Sequence, residues 1–222
     1  MNRVGKNRLG RLLTAMVTPF DSQGKVDYQL ARRLALSLLD SGSDGIVVSG
    51  TTGESPTLSR EEKIRLFAET KSALGNHGTV VAGTGSYNTK ESQELTKEAE
   101  KTGVDACLLV VPYYNRPTQQ GLWEHFKAIA QGTTLPCILY NVPSRTVTNL
   151  DADTVIKLSQ IDNIVGVKEA SSNIGQIAEI IRRTKEEFLV YSGNDSDTLP
   201  IIALGGYGVI SVASHLSGKL VP

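Results

Sequence analysis

Short apolar runs alternate with amphipathic segments along almost the whole chain. Eight runs rich in Val, Ile and Leu have the length and composition of buried strands. In order they are LLTAMVTPF, GIVVSG, TVVAGTG, ACLLVVPYY, LPCILYNVP, IVGVKEAS, LVYSGND and GVISVAS. Between successive runs the apolar residues recur near every 3.6 positions, which is typical of helices. The pattern therefore predicts eight strands separated by seven helices.

Several predicted helices carry recognisable start and stop residues. The segment DYQLARRLALSLLDSG ends at Gly42, and NTKESQELTKEAEKTG ends at Gly103 with a strongly charged surface. SREEKIRLFAETKSALG begins at Ser59 and has Glu62 three residues later, which predicts a capping box. The remaining helical segments are TQQGLWEHFKAIAQ, DADTVIKLSQ, NIGQIAEIIRRTKEE and DSDTLPIIALGG.

Strands that alternate with helices predict right-handed βαβ units and a parallel sheet. Nearly continuous apolar strands indicate that both faces of this sheet are covered. Eight units form a (β/α)8 TIM barrel, an α/β fold of about 250 residues. A doubly wound open sheet is the alternative, but it usually has a Gly-rich dinucleotide turn after its first strand, and VTPFDSQG is not one.

Only HLSGKLVP follows the eighth predicted strand, which leaves no room for an eighth barrel helix. We therefore expect a single (β/α)8 barrel domain over residues 1–222, truncated before its last helix. The apolar outer faces of the eighth and first strands would then be exposed, and such patches favour partner binding or aggregation.

Composition excludes several classes of protein. The chain has 222 residues, of which 40% are apolar, and 23 basic side chains balance 23 acidic ones. This is a globular composition without the positive charge that binds nucleic acid or an acidic membrane surface. No apolar run is long enough to span a membrane, and no long apolar core follows the basic start MNRVGKNRLGR, so a secretory signal is not expected.

Cysteine and histidine usage gives no support to metal chemistry. Cys107 and Cys137 lie inside apolar runs and do not form a C-x-x-C motif, so we interpret them as small core residues. The histidines His77, His125 and His215 are far apart and lack the spacing of metal ligands.

A lysine stands near the end of the sixth apolar run, IVGVKEAS. By alternation, Gly166 and Lys168 share one strand face, and Val165 and Val167 share the other. Valines that face the helix layer would place Lys168 in the barrel mouth. A desolvated amine has a lowered pKa and can form a Schiff base with a carbonyl compound. A structural ion pair is the alternative, although the adjacent Glu169 points to the opposite face, and position alone leaves both open.

Polar residues and glycines concentrate where the predicted strands end, which is where chemistry occurs in such barrels. These ends are TPF, SGTTGE, GTGS, PYYNRP, YNVPSRT, KEASS, SGND and SVAS. In PYYNRP, Tyr113 and Tyr114 point opposite ways, so one can face the mouth and the other a helix layer or a neighbouring subunit.

Four further side chains at these ends are candidates for chemistry. Tyr140 could relay protons beside Lys168, or it could be a packed core tyrosine. Thr51 and Thr52 in GTTGE could hold a carboxylate or phosphate, but the G-K-[ST] of a nucleotide-binding loop is absent. Arg145, on a loop, could clamp a substrate carboxylate or could be a solvated surface charge.

The motifs GTTGE, PYYNRP, YNVPSRT, GVKEAS and GGYGVIS occur in this order from the first to the eighth strand. Together they resemble the dihydrodipicolinate synthase family of pyruvate-dependent class I aldolases, a group that includes N-acetylneuraminate lyase. The neuraminate lyases are similar at the lysine and the tyrosine but typically lack the arginine of PSRT.

The resemblance implies a role for each matching residue at the reacting centre. Lys168 would form a Schiff base with pyruvate, and Tyr140 would relay protons and position the pyruvate. Thr51 would link Tyr140 to Tyr114, and the tyrosine matching Tyr114 reaches into the adjacent subunit in this family.

The remaining matches imply substrate contacts. Thr52 would contact the pyruvate carboxylate, Ile210 would lie against pyruvate through its backbone, and Arg145 would hold the carboxylate of aspartate semialdehyde. The implied reaction joins pyruvate to aspartate 4-semialdehyde, giving 4-hydroxy-tetrahydrodipicolinate for diaminopimelate and lysine synthesis. The resemblance further implies a cytoplasmic homodimer or homotetramer that needs no metal or organic cofactor. A related activity on a sugar acid, or an inactive truncated form, is the alternative.

One departure from the family concerns feedback inhibition by lysine, which in some members binds near residues after GTTGE and after GTG. Arg60 and Lys63 stand here where some members have histidines, and Tyr87 stands in GTGSYN. Additional cations near a cationic effector are unfavourable, so we expect weak or absent inhibition by lysine.

Overall fold

Eight parallel strands close into a barrel in the order of the sequence, in a computed structural model that describes residues 9–220. Each strand pairs with the next, and the eighth pairs with the first. The strands are β1 Leu12–Ala15, β2 Gly45–Val48, β3 Thr79–Gly83, β4 Ala106–Val110, β5 Cys137–Asn141, β6 Ile164–Glu169, β7 Leu189–Ser192 and β8 Gly208–Ser211. The predicted (β/α)8 barrel is thus confirmed.

The helices surround the barrel, and those predicted from the apolar spacing are present. They are α1 Tyr28–Asp40, α2 Arg60–Leu74, α3 Thr89–Lys101, α4 Gln119–Ala130, α5 Pro143–Thr146, α6 Ala152–Leu158, α7 Ile174–Arg183, α8 Thr198–Ala203 and α9 Ser214–Ser217. The capping box at the start of α2 is confirmed, because the Ser59 side chain accepts from the Glu62 N–H while the Glu62 carboxylate accepts from the Ser59 N–H. None of the helices within residues 9–220 is long and apolar enough to cross a bilayer.

Two apolar clusters hold the fold together. The larger one fills the space between the strands and the helices, and the smaller one fills the inside of the barrel. Cys107 and Cys137 belong to the larger cluster as buried free thiols, which confirms their interpretation as core residues. Their sulfur atoms are 3.4 Å apart because the two residues pair directly between β4 and β5.

Strand β6 departs from simple alternation near its start. Cys137 pairs with Ile164, but the next residue of β5, Ile138, pairs with Gly166, so β6 contains one additional residue at this point. Val165 consequently packs with the cluster inside the barrel, while Val167 faces the helices. The prediction that both valines face the helix layer is therefore wrong for Val165.

The segment PSRT is also different from the prediction. It forms the one-turn helix α5 rather than a loop, with Pro143 in its first turn, a position that proline favours. Arg145 therefore projects from a short helix that begins directly after β5. After β8, the described chain continues only through α9 and a 3-10 turn at Gly218–Leu220. All residues of β1 and β8 are nevertheless buried, so the expectation that the outer faces of these strands are exposed is wrong.

Candidate active site

Lys168 lies at the carboxyl end of β6 and is only 5% exposed. Its Cα pairs with Tyr140 on β5 and with Tyr191 on β7, and both tyrosines belong to the cluster inside the barrel. The Lys168 Nζ atom is 4.2 Å from the centre of the Tyr140 ring. Alternation thus predicted the direction of Lys168 correctly, because both Gly166 and Lys168 follow the irregularity in β6.

The surroundings of Lys168 increase the fraction of its amine that is neutral near pH 7, compared with an exposed lysine. Burial lowers its pKa from 10.5 to about 8, the Asp195 carboxylate acts in the opposite direction, and the Arg145 guanidinium lowers the pKa further. None of the ion pairs among residues 9–220 includes Lys168. A neutral amine is a nucleophile towards carbonyl carbon, so this environment suits Schiff-base chemistry.

Glu169 does not pair with Lys168. It lies on the outer face of β6, fully buried, where its carboxylate accepts hydrogen bonds from Asn141 Nδ2 at 3.0 Å, Gln176 Nε2 at 2.9 Å and the Ser171 N–H at 3.1 Å. Burial raises the pKa of this carboxyl group, and the hydrogen bonds oppose that shift. The prediction that Glu169 points away from Lys168 is confirmed.

Tyr140 is buried beside Lys168, with its phenol directed towards the turn after β2. Burial raises the pKa of Tyr140, while the Thr51 hydroxyl and the Arg145 guanidinium lower it. A small pocket of about 30 Å³ adjoins the tyrosine. Its lining consists of Ser49, Gly50, Thr51, Gly83, Gly85, Leu108, Val110 and Tyr140.

The other predicted site residues surround the same mouth to different degrees. Ile210 is buried inside the barrel on β8, paired with Leu13 of β1. Thr52 is half-buried and Arg145 is exposed. The charge of Arg145 nevertheless affects the pKa of both Lys168 and Tyr140, which places it at this mouth.

Tyr114 is the one predicted site residue that packs against almost nothing in its own chain. Its side chain is 91% exposed, and its backbone has a φ of 70°. The adjacent Tyr113 instead packs edge-on against Tyr87, with the ring centres 5.2 Å apart. The strand alternation from which opposite directions were expected is absent, because β4 ends at Val110 and both tyrosines lie in the loop that follows it. Tyr114 is nevertheless the exposed one of the two.

Several residues around this mouth have strained backbone conformations. Within residues 9–220, the non-glycine residues with a positive φ all lie in the loops that follow β2, β4, β5 and β6. They are Ser49, Glu54, Tyr114, Arg116, Val147 and Ser172. Val147 is the most unusual, because a β-branched side chain rarely adopts its φ of 57°. Such strain is typical of functional sites.

Asp195 is a charged neighbour of Lys168 that the sequence motifs did not single out. Its carboxylate accepts hydrogen bonds from the Ser211 hydroxyl and from the backbone N–H groups of Val212, at 3.2 Å, and Ala213, at 3.0 Å. It is also the group that most strongly opposes the lowered pKa of Lys168. The feature of the sequence that could have indicated Asp195 is its position directly after β7, in SGND.

Gly193 is a second residue that the motifs did not reveal. A Cβ atom there would lie 2.8 Å from Ala170 Cβ and 3.1 Å from Lys168 Cγ. The absence of a side chain at this position therefore leaves room for the stem of the lysine.

We expect Gly193→Ala to displace Lys168 and to slow reductive trapping of a small carbonyl compound about tenfold. The matched control is Gly175→Ala in α7, where a Cβ would meet only Asn173 Oδ1 at 3.5 Å and helix propensity favours alanine. Mass spectrometry of borohydride-reduced protein measures the rate. Equal rates for both variants would show that Gly193 does not position the lysine.

Among residues 9–220, no three His, Cys, Asp or Glu side chains are grouped so that they could hold a metal ion. The polar side chains that meet at the mouth are an amine, a phenol, hydroxyls, a guanidinium and the Asp195 carboxylate.

The fold and this site define the class: a (β/α)8 barrel with a buried lysine beside a tyrosine in its carboxyl-end mouth. The chain belongs to the dihydrodipicolinate synthetase family, whose family model matches residues 8–221.

Individual relatives agree with this assignment. The chain is 66% identical to a 4-hydroxy-tetrahydrodipicolinate synthase of Dehalococcoides mccartyi, over 96% of this chain and 72% of the relative. A crystal structure of a dihydrodipicolinate synthase from Bacillus anthracis superimposes with a TM-score of 0.94 at 50% identity, covering 95% of this chain and 72% of that one. The lysine-bound dihydrodipicolinate synthase of Cyanidioschyzon merolae gives a TM-score of 0.93 at 51% identity, with the same coverage.

Proposed function

We propose that this chain is a lyase that condenses pyruvate with L-aspartate 4-semialdehyde to form 4-hydroxy-tetrahydrodipicolinate. This is the activity for which its relatives are named, and it belongs to diaminopimelate and lysine biosynthesis. The observation that carries the proposal is the buried Lys168, whose pKa is lowered to about 8 and which contacts the ring of Tyr140.

The reaction begins with the neutral amine of Lys168. It attacks the keto carbon of pyruvate, which forms a C–N bond and converts the carbonyl oxygen to a hydroxyl group. Loss of this hydroxyl as water leaves a protonated imine. Loss of a methyl proton gives an enamine, whose carbon attacks the aldehyde carbon of the second substrate. The resulting alkoxide takes up a proton, and the substrate's own amine then displaces Lys168 and closes the ring. The protonated imine formed on Lys168 takes up the electron pair left by the methyl proton, so the step is balanced without a cofactor.

Tyr140 is suited to move these protons. Burial raises the pKa of its phenol above the ordinary value of 10, and the neighbouring Thr51 hydroxyl provides the next position in a relay. Thr52 would hold the pyruvate carboxylate, and the backbone of Ile210 would lie against pyruvate.

Tyr114 supports assembly of at least two copies of the chain. Its 91% exposed side chain is free to enter the mouth of a neighbouring subunit, where it would extend the relay from Thr51. We therefore propose a homodimer or homotetramer, working in the cytoplasm on small metabolites.

The test is reductive trapping. The protein is incubated with pyruvate, reduced with borohydride and digested, and the modified peptide is identified by mass spectrometry. We expect one adduct, at Lys168, together with turnover of aspartate semialdehyde. No adduct would refute the proposal, and an adduct without turnover of that aldehyde would favour a sugar-acid aldolase.

We expect Arg145→Ala to raise KM for aspartate semialdehyde about 10- to 100-fold, because it removes a charged hydrogen bond to the substrate carboxylate. Trapping of pyruvate should remain close to that of the unmodified protein. Arg145→Lys is the matched variant, since it keeps the charge but loses the planar fork, and should be intermediate. Steady-state kinetics against each substrate separates the effects. A larger defect in pyruvate trapping than in KM for the aldehyde would contradict this role.

Inhibition by L-lysine should be weak, with no sub-millimolar inhibition constant. The Arg60 guanidinium is neutralised by Glu94, at 3.1 Å, and Glu98, at 2.9 Å. Lys63 is therefore the cation that would repel the effector, although burial lowers its pKa. Lys63→Met, which keeps the aliphatic stem, should strengthen inhibition. Sub-millimolar inhibition of the unmodified protein in rate assays would overturn the prediction.

A further inference from the structure

A cluster of buried polar side chains lies on the outside of the barrel, directly behind the site. We define the outer polar cluster as Asn141, Asn149, Glu169 and Gln176. Asn141 and Glu169 are fully buried between the strands and the helix layer. None of the steps proposed for the reaction uses this cluster, so its presence needs a separate explanation.

The cluster is connected by hydrogen bonds. Asn141 Nδ2 donates to Glu169 Oε1 at 3.0 Å and to Asn149 Oδ1 at 2.9 Å, while Asn141 Oδ1 accepts from the Leu150 N–H at 3.0 Å. Gln176 Nε2 donates to Glu169 Oε2 at 2.9 Å, and Gln176 Oε1 accepts from Asn149 Nδ2 at 2.8 Å. The cluster thus joins β5, β6, α7 and the loop that follows α5.

Stability alone does not account for a carboxylate in this position. Burying a charge costs several kcal/mol, and well-packed apolar side chains often replace buried polar groups without loss of stability. The other buried polar residues of the barrel helices are hydroxyl-bearing or imidazole side chains such as Thr70, Thr96 and His125, and Glu169 is the buried carboxylate of this layer within residues 9–220. The outer polar cluster therefore has a geometrical role that apolar packing would not supply.

The strand register shows what the cluster aligns. Tyr140 pairs with Lys168 on the inner face, and the next pair, Asn141 with Glu169, lies on the outer face. The bond between Asn141 and Glu169 thus joins β5 and β6 one residue beyond the reacting pair. The register of these strands shifts at Cys137/Ile138, so the additional side-chain bond compensates for a ladder that is irregular at its start.

We infer that Glu169 is a positioning residue, which holds Lys168 against Tyr140 through its hydrogen bonds to Asn141 and Gln176. The inference deepens the proposed function and rests on it for the role of Lys168. Glu169 does not contact the substrate. It fixes the end of β6, and Gln176 connects that end to helix α7.

The test compares Glu169→Gln with a reciprocal double variant. In Glu169→Gln one of the two accepting oxygens becomes an NH2 group, which then faces either Asn141 Nδ2 or Gln176 Nε2, both of them donors, so a buried hydrogen bond is lost. Glu169→Gln combined with Gln176→Glu restores a donor opposite an acceptor and keeps the charge in the cluster. The matched control is Asp105→Asn, which weakens a bond to Lys71 at 2.8 Å and to the Val80 N–H at 2.8 Å at the other end of the barrel.

Two readouts follow Lys168 directly. One is the rate of pyruvate trapping, and the other is the pH midpoint of Lys168 methylation by formaldehyde and borohydride, which does not depend on pyruvate. We expect Glu169→Gln to slow trapping about 10- to 100-fold. We also expect the methylation midpoint to rise from about 8 towards 10.5 as the amine gains access to water. The double variant should return both values to within a few-fold of the unmodified protein.

The outcomes separate the inference from the proposed function. Unmodified protein that shows the low methylation midpoint but traps no pyruvate refutes the function, and the methylation profiles still decide the role of Glu169. An unchanged midpoint in Glu169→Gln overturns the inference, as does an equal shift in Asp105→Asn. If Glu169→Gln does not fold, Gln176→Met is the second variant, which leaves Glu169 intact but removes an amide that donates to Glu169 Oε2 and to the Leu150 carbonyl and accepts from Asn149 Nδ2. An unshifted midpoint in that variant overturns the inference as well.

Discussion

Replacing Lys168 by methionine is expected to abolish the reaction and to stabilise the fold at the same time. The two side chains have similar length and volume, so packing around Tyr140 and Tyr191 changes little. The amine, however, is only 5% exposed and has no ion pair within the described residues. Its charged form is therefore a cost that the folded protein bears at neutral pH.

The pH dependence of this effect has a definite sign. The pKa of Lys168 is about 8 in the folded protein and 10.5 in the unfolded chain. Below pH 8 both states are protonated, so the cost is complete and amounts to about 3 kcal/mol, from the difference between the two values. Between pH 8 and 10.5 the folded state loses its proton first, and the cost disappears. The advantage of Lys168→Met should be greatest at neutral pH and vanish at high pH.

Urea unfolding of both proteins across this pH range measures the difference, and an activity assay measures the loss of turnover. Lys168→Arg is the useful control, because it keeps a permanent charge that neither becomes neutral nor forms a Schiff base. We expect this variant to be inactive and less stable than the unmodified protein. If Lys168→Met is instead the less stable protein at pH 7, the lysine is held by an ionic partner and the alternative of a structural lysine is correct.

The sequence predicted the barrel well because its information is local. Each strand is a short apolar run, and each helix has its own apolar stripe. A closed barrel of parallel strands surrounded by helices buries the apolar residues of both kinds of element. The same locality explains the error at Val165. Its inward position depends on how β6 pairs with β5, where the register shifts at Cys137/Ile138, and no pattern within one strand reports on that.

The site was partly predictable for a similar reason. Lys168 stood out because a lysine conflicts with its apolar run, and Tyr140 because it ends the neighbouring run. Asp195 and Gly193 did not stand out in the sequence, because an aspartate or a glycine is common in a turn that follows a strand. Both are important because they lie close to Lys168. The Asp195 carboxylate raises the pKa of the lysine, and a Cβ atom at Gly193 would lie 3.1 Å from Lys168 Cγ.

Glu169 illustrates a different limit. Alternation correctly placed its side chain on the other face of β6 from Lys168, which argued against an ion pair between the two residues. Its hydrogen bonds to Asn141 on β5 and Gln176 on α7 connect three elements, β5, β6 and α7, which only the folded barrel brings together. A residue adjacent to the reacting lysine can therefore be important through the face that points away from the reaction.

Removing one hydroxyl by Tyr140→Phe should lower turnover about 100-fold or more, within the range expected for loss of a general acid–base group. The ring remains and still packs 4.2 Å from the Lys168 amine, so the barrel should keep its shape. The proton transfers that accompany imine formation and the attack on the aldehyde lose their relay. Single-turnover measurements of imine formation and of the complete reaction determine which step slows most.

Tyr191→Phe is the matched control for that result. Tyr191 is also buried inside the barrel and pairs with Lys168 from the other side, but its hydroxyl donates to the Gly10 carbonyl at 2.9 Å. This variant should lose about 1 kcal/mol of unfolding free energy and keep its turnover to within a few-fold. The two variants thus remove the same atom on either side of one lysine. Equal loss of turnover in both would mean that the tyrosines act only by packing, and Tyr140 would then have no part in proton transfer.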